Sequence, residues 1–115
     1  MPHPVIKTAF PKRRYKYGEY TVTLLTDITS DDEMAYLYLA AVVKDGYSQP
    51  EVYITCESIS AETPAQFRIR VLTDNEEHII GEGPEWKQEQ AFCDYALQGI
   101  QQMFGLDDEQ PMQLT

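Results

Sequence analysis

The segment Gln66-Phe67-Arg68-Ile69-Arg70-Val71 is the clearest indicator of the fold class, because it alternates strictly between polar and apolar side chains. Successive side chains of a β-strand point to opposite sides of the sheet, so the alternation predicts a strand with one buried side and one side in water. Two earlier segments, residues 20–26 and 51–57, are rich in β-branched and aromatic residues and also predict strands. Residues 78–81 are predicted to form a short final strand. An antiparallel sheet is the expected result.

The segment from Met34 to Lys44 has two interpretations, because nearly every position in it is apolar. A capping box formed by Ser30 and Glu33, with Gly46 as a stop signal, favours a helix. The β-branched and tyrosine content of the segment, and the strand-like residues 51–57 across the next turn, favour a strand. We predict a strand that forms a hairpin with residues 51–57.

The period of the apolar residues changes after Pro84, where they recur at spacings of three and four residues. Pro84 suits a first helical position, and Gly105 follows the last apolar pair as a stop. The residues of this stripe are Trp86, Phe92, Cys93, Ala96, Leu97, Ile100, Met103 and Phe104. Strands first and a helix last predict an α+β fold, with an antiparallel β-sheet of four to five strands and one long C-terminal helix packed on one face.

The length of 115 residues fits a single domain, and charge divides it unevenly. The formal net charge is -10, but residues 1–20 contain five basic residues and one acidic residue, so the rest of the chain carries -14. Prolines and basic residues at the beginning predict a basic extended N-terminal arm over residues 1–14. A single α+β domain would cover residues 15–106, and an acidic flexible tail residues 107–115.

The strand alternation also predicts which side chains meet the helix and which do not. The inner set is Val22, Leu24, Leu37, Leu39, Val52, Ile54, Cys56, Phe67, Ile69 and Val71. The outer set is Thr21, Thr23, Tyr36, Tyr38, Tyr53, Thr55, Glu57, Arg68 and Arg70. The outer set has the composition of a protein interface, and its candidate interface residues are Tyr36, Tyr38, Tyr53, Arg68 and Arg70. Tyrosine and threonine are also ordinary strand formers, and the arginines would pair with Glu57 across strands.

The run Lys12-Arg13-Arg14-Tyr15-Lys16-Tyr17 mixes basic and aromatic residues, as segments that bind single-stranded nucleic acid do. Its candidate basic residues are Lys12, Arg13, Arg14 and Lys16. The charge of -14 on the remaining residues would repel a polyanion. A structural role, with the arm folded over its own acidic surface, is the stronger interpretation.

Sequence motifs for catalysis, cofactors and metals are missing. Gly81-Glu82-Gly83 only weakly resembles a phosphate-binding loop, and its acidic neighbours would repel an anion. The two histidines, His3 and His78, leave little scope for acid–base catalysis. Acidic clusters at residues 31–33 and 107–109 lack the ligand spacing of a calcium loop. We assign no catalytic, cofactor-binding or metal-binding residue.

The two cysteines, Cys56 and Cys93, lie far apart in the sequence and without metal-ligand spacing, which predicts buried reduced thiols. No stretch has the length and apolarity of a membrane span, and the N-terminus lacks the pattern of a secretory signal. We therefore expect a cytoplasmic protein with no membrane partner.

These observations favour a chain without catalysis of its own that acts by protein–protein contact, as an adaptor, a regulator or a self-associating protein. The contact would use the open Tyr/Thr/Arg sheet face or an exposed edge strand. One alternative is a small-ligand binder or enzyme with a pocket between the sheet and the C-terminal helix, lined by Trp86, Tyr95 and Cys93. The other alternative is weak nucleic-acid contact through the basic arm.

Overall fold

A computed structural model describes residues 6–30, 36–58, 66–73, 76–106 and 108–114 of the chain. These residues form seven strands, one 3-10 turn and one α-helix. In chain order the elements are β1 (Ile6–Tyr17), β2 (Tyr20–Ser30), β3 (Tyr36–Lys44), β4 (Val52–Ser58), β5 (Phe67–Leu72), β6 (Glu77–Gly83), the 3-10 turn (Glu85–Lys87), α1 (Glu89–Phe104) and β7 (Met112–Gln113).

All seven strands belong to one sheet in the order β6-β5-β4-β3-β2-β1-β7, and every neighbouring pair is antiparallel. The predicted α+β class with an antiparallel sheet and one helix is confirmed. The predicted number of four to five strands is wrong, because both ends of the chain add a strand. The N-terminal residues form β1, which joins β2 through a tight turn where Gly18 has a φ of 59°.

The outer strands β1 and β7 contain residues that the sequence analysis assigned to an arm and a tail. The boundary predicted between residues 14 and 15 falls inside β1. Near the other end of the chain, β7 pairs with Tyr15 and Lys16, and the Leu114 N–H donates to the Arg14 carbonyl at 2.7 Å. Residues 1–5 of the predicted arm lie outside the described residues.

Residues 36–44 form strand β3, which pairs with both β2 and β4. The strand interpretation is therefore confirmed, and the helix alternative for this segment is wrong. Three residues of the capping-box motif, 31–33, lie outside the described residues. Two paired neighbours satisfy the backbone hydrogen bonds of β3 on both edges, which makes it a central strand.

The core lies between α1 and one side of the sheet, which we call the helix side. Four helix residues in the core, Phe92, Cys93, Ala96 and Ile100, are fully or almost fully buried. The strand residues of the same cluster are Tyr15, Tyr17, Val22, Leu24, Ala40, Val42, Val52, Ile54, Cys56, Phe67, Ile69 and Val71. Ring stacking adds to the packing at both ends of α1, with centroid distances of 5.5 Å for Tyr38–Phe92 and 4.1 Å for Tyr20–Phe104.

The helix begins at Glu89 and not at Pro84, because residues 85–87 form a separate 3-10 turn that Pro84 precedes. Its predicted end is confirmed, since Gly105 has a left-handed φ of 65° and its N–H bonds to the Gln101 carbonyl. In the described part of the chain, no helix has the length and apolarity required to cross a bilayer.

Truncation of Phe92 should test how much the core depends on α1. Phe92 is completely buried, so Phe92→Ala should lower the free energy of unfolding by about 3–5 kcal/mol through lost transfer energy and a residual cavity. The control Met103→Ala lies on the same helix but at a side chain that is 41% exposed, and should cost less than about 1 kcal/mol. Urea unfolding followed by circular dichroism measures both, and equal losses would contradict the described core.

Candidate functional site

The five candidate interface residues do not lie on one surface, because β3 changes register within the tyrosine pair. Tyr36 is opposite Glu57 and Tyr38 is opposite Cys56, so two steps along β3 match a single step along β4. Leu37 is the extra residue, and it turns Tyr38 to the helix side. There the Tyr38 ring stacks on Phe92, and its hydroxyl donates to the Lys87 carbonyl at 2.8 Å.

The same register shift corrects the predicted inner and outer sets within β3. Leu39, predicted to meet the helix, is paired with Leu25 and Thr55 on the opposite side of the sheet, which we call the reverse side. Ala40 and Val42 take its place in the core. The predicted inner residues of β2, β4 and β5 are all in the core, as expected from simple alternation.

The reverse side is closed at its centre, which corrects the expectation of an open sheet face. Leu39, Thr55 and Glu57 are completely buried, and Leu72 and Arg70 are 2% and 8% exposed. Tyr36 is also buried, whereas Tyr53 and Arg68 keep intermediate exposure. Of the five candidate interface residues, only Tyr53 and Arg68 therefore combine a reverse-side position with appreciable access to water.

A buried carboxylate organises the charges of the reverse side. Arg68 Nε donates to Glu57 Oε1 at 2.6 Å, and Arg70 Nη2 donates to Glu57 Oε2 at 3.0 Å. Arg70 also binds Glu77 Oε1 through Nη1 at 2.6 Å. Thr55, at 3.5 Å from Glu57 Oε2, completes the group. Both arginines thus serve the cross-strand pairing that the sequence analysis gave as the alternative to an interface role.

Removing the Glu57 charge should destabilise the sheet, since it leaves two cations close together without their shared anion. We expect Glu57→Gln to lower the free energy of unfolding by about 2–4 kcal/mol, slightly less than for a fully buried pair because Arg68 is partly exposed. The matched control is Glu77→Gln, whose side chain is 47% exposed and whose loss should cost about 0–1 kcal/mol. Denaturant titration of both variants measures the difference, and similar losses would show that Glu57 has no special role.

The basic residues of β1 bind acidic groups of the same chain. Lys12 and Arg13 lie 2.7 Å and 3.1 Å from the Glu89 carboxylate at the beginning of α1. Lys16 pairs with Asp45 at the turn after β3. The side chain of Arg14 is exposed. Three of the four candidate basic residues are therefore engaged within the chain, in the way that a structural role for this segment requires.

A shallow depression of about 560 Å³ brings together Lys12, Tyr36 and Tyr38, which the sequence analysis had placed in two different surfaces. Phe10 and Glu89 also line it. Lys12 and Glu89 bind each other and the Tyr38 hydroxyl donates to the Lys87 carbonyl, while Thr26, Asp27 and Thr29 add further polar groups to the lining.

Both cysteines are buried and free, as predicted. The Cys56 thiol donates to the Trp86 carbonyl at 3.4 Å, and the Cys93 thiol to the Tyr15 hydroxyl at 3.4 Å. Burial, assisted by the neighbouring Glu57 charge, raises the pKa of Cys56 to about 12. A thiol with such a pKa stays protonated near neutral pH and is a poor nucleophile.

The raised pKa of Cys56 predicts a loss of stability in alkali. Below pH 9.0, the ordinary thiol pKa, the Cys56 thiol keeps its proton in both the folded and the unfolded chain. Between pH 9.0 and about pH 12 it releases the proton only in the unfolded chain. The free energy of unfolding should therefore fall between these pH values, with this thiol contributing at most about 1.4 kcal/mol per pH unit. Burial also raises the pKa of Tyr15, Tyr38 and Tyr53, as it does the pKa of Cys56.

Urea titrations at a series of alkaline pH values isolate the cysteine contribution. Cys56→Ala should show a shallower fall than the natural chain, although packing loss lowers its stability at neutral pH. Ile54→Val truncates a buried neighbour on the same strand without removing a titrating group, so its slope should be unchanged. A Cys56→Ala slope equal to that of the natural chain would contradict the assignment.

Strand β6 is the exposed edge of the sheet. It pairs with β5 on one side and has no partner on its other side among the described strands. Its side chains are unusually open for a strand, with Ile79 53% and Ile80 36% exposed. Along this edge the outward N–H and C=O groups lie in the direction in which another strand would add.

A groove of about 540 Å³ runs between β6 and α1, and we call it the β6–α1 groove. Its lining is mostly apolar, with glutamine amides from α1 as polar groups. The residues are Val71, His78, Ile80, Tyr95, Gln98, Gly99, Gln102 and Met103. The Tyr95 hydroxyl donates to the Ile80 carbonyl at 2.8 Å and holds the helix to the edge strand.

Gly99 lies in the middle of α1 and lines this groove. A Cβ atom at Gly99 would meet nothing within 4 Å, whereas each of the other described glycines has either a positive φ or a close neighbour. Glycine in a helix interior costs about 1 kcal/mol relative to alanine. No contact within this chain therefore requires glycine at position 99. Its lack of a side chain leaves this part of the groove open.

The β6–α1 groove lies between sheet and helix, but of the three residues predicted to line a ligand pocket there only Tyr95 lines it. Cys93 is buried beside Tyr15, and the Trp86 ring packs against Gly81 and Tyr95. A Cβ at Gly81 would lie 3.3 Å from the Trp86 ring, which gives this glycine a packing reason without any phosphate.

Sequence reasoning identified residues 78–81 as a strand but did not assign them to a contact surface. The available signal was the position of this strand, the last one before the helix, with two adjacent isoleucines that strict alternation cannot both bury.

His3 and the acidic residues 31–33 lie outside the described residues. Within the described residues, no three or more His, Cys, Asp or Glu side chains form a group that could hold a metal ion.

Comparisons of the chain with protein-family models, with curated proteins and with solved structures find no match.

Proposed function

We propose that this chain is a binding protein without catalysis of its own, and that it contacts another protein through the outer edge of β6 and the β6–α1 groove. The observation that carries the proposal is an edge strand that has no outer partner among the described strands and that places two exposed isoleucines beside an apolar groove. Addition of a strand to such an edge is a common mode of protein recognition, in which backbone hydrogen bonds give affinity and side-chain pockets give specificity.

The edge is a better supported contact surface than the reverse side. Natural proteins usually protect a sheet edge with bulges, prolines or charges. At the other end of the sheet, β1 contains Pro11 and three register shifts, and β7 covers part of its edge. In contrast, β6 contains no proline and only one register shift, near Ile80, and its protection is limited to the charges of Glu77 and Glu82. Of the two ends, β6 is therefore the one suited to accept a strand.

A second role for the groove, as a small-molecule site, has less support. Its titratable groups among the described residues are His78, which lies 2.9 Å from Glu76, and Tyr95, which is bound to Ile80. Neither arrangement supplies the positioned acid and base that a reaction would need. Protein contact therefore remains the proposal.

The proposal is tested by capture experiments with the full chain as bait in lysate of its source cells. Ile79→Lys puts a charge on the edge strand at an exposed side chain and should abolish capture of the specific partner while leaving the fold intact. The control Tyr53→Ala changes the reverse side and should retain the partner. In the purified complex, hydrogen exchange of the β6 amides should be slower than in the free chain. A partner retained by Ile79→Lys, with β6 exchange unchanged, would remove the proposal.

A further inference from the structure

We infer that the segment bound at β6 is an extended strand of another protein, with apolar residues alternating with lysine or arginine. This inference rests on the function proposed above and adds the chemistry of the partner. It follows from the different character of the two sides of the edge.

The reverse side of the β6 edge is acidic. Glu77 and Glu82 are opposite Leu72 and Arg68, which places both on that side, with Ile79 between them. From Glu76 to Glu85 the chain contains four glutamates and no lysine or arginine. Arg70 partly neutralises Glu77, whereas Glu82 is exposed and has no ion pair among the described residues. A basic side chain on an added strand would lie beside this excess negative charge.

The helix side of the same edge is apolar. His78 is opposite Val71, and Ile80 follows at the register shift, so both belong to the wall of the β6–α1 groove. Side chains of an added strand alternate between the two sides. Every second side chain would therefore enter the groove, and the others would lie beside the glutamates.

Gly99 is an independent observation that points to an occupant. It lines the groove from the helix, and the space above its Cα is empty within this chain. Glycine there allows an apolar side chain of the added strand to approach the helix backbone. Any larger residue would fill the part of the groove that the partner needs.

A second copy of this chain is a poorer occupant. Two β6 edges in an antiparallel pair would bring their glutamates together, and the net charge of -10 on each chain opposes association. The basic edge of β1 has the complementary charge, but Pro11 and its register shifts make it a poor pairing strand. The edge is therefore suited to a basic segment of a different protein.

The probe is a short synthetic peptide of alternating lysine and valine, blocked at both ends, and its matched control replaces lysine by glutamate. The full chain should bind the lysine peptide and not the glutamate peptide, as measured by fluorescence anisotropy of labelled peptides. Amide chemical shifts should change along β6 and the groove side of α1. Binding should weaken as sodium chloride is raised, because charge attraction contributes to it.

Gly99→Leu provides a variant that fills the groove without harming the helix, since leucine is a better helix former than glycine. It should weaken peptide binding by about tenfold or more, the loss typical of an interface hot spot, and should melt no lower than the natural chain. Gln101→Leu makes the same kind of change at a helix position outside the lining of this groove, and should bind as the natural chain does.

Several results would overturn the inference. These are equal binding of both peptides, absence of lysine-peptide binding, or an unchanged affinity in Gly99→Leu. A dimer in sedimentation experiments that Ile79→Lys dissociates would place a second copy at the edge instead. If the captured partner still depends on Ile79 while the peptide results are negative, the proposed function survives and only the partner chemistry is wrong. If capture is independent of Ile79, the proposed function itself fails.

Discussion

The apolar stripe of α1 is buried against one side of the sheet, and this packing forms the core of the protein. Phe92, Ala96 and Ile100 have almost no exposed surface, and they share one core with five strands of the sheet. A single helix cannot cover seven strands, because its diameter with side chains is about 10–12 Å and neighbouring strands are about 4.8 Å apart. Some strands must therefore remain at the border of the helix, and β6 is one of them.

The buried cluster around Glu57 explains why the reverse side is a weak candidate for a binding surface. Charged side chains that bind one another in fixed geometry are not available to a partner unless their own pairing is broken. Arg70 bridges Glu57 and Glu77, and so connects the centre of the sheet to the first residue of β6. The charged groups of the cluster are therefore bound to one another within the fold, and the pair of Arg70 and Glu77 links the cluster to β6.

Charge is distributed so that the two ends of the sheet differ. Three of the five basic residues of β1 pair with Glu89 or Asp45, whereas the β6 end has an excess of glutamate. Self-pairing at the β6 edge is opposed by this charge, which is one means of preventing uncontrolled association of an exposed strand. The same charge would favour a basic partner, so solubility and selectivity can have one physical origin.

Side-chain periodicity and local backbone preference were sufficient to predict the α+β class, the strand character of residues 36–44, the helix end at Gly105 and most of the core. The side of the sheet on which Tyr38 and Leu39 lie is evident only in the folded chain, since one extra residue, Leu37, reverses the alternation and depends on pairing with β4. The folded chain also shows that the basic N-terminal residues form a strand and that β6 has no partner on its outer side among the described strands. Strand order depends on long-range backbone hydrogen bonds, which have no local signature in the amino-acid sequence, whereas the adjacent Ile79 and Ile80 were a local hint that one side chain of this strand stays exposed.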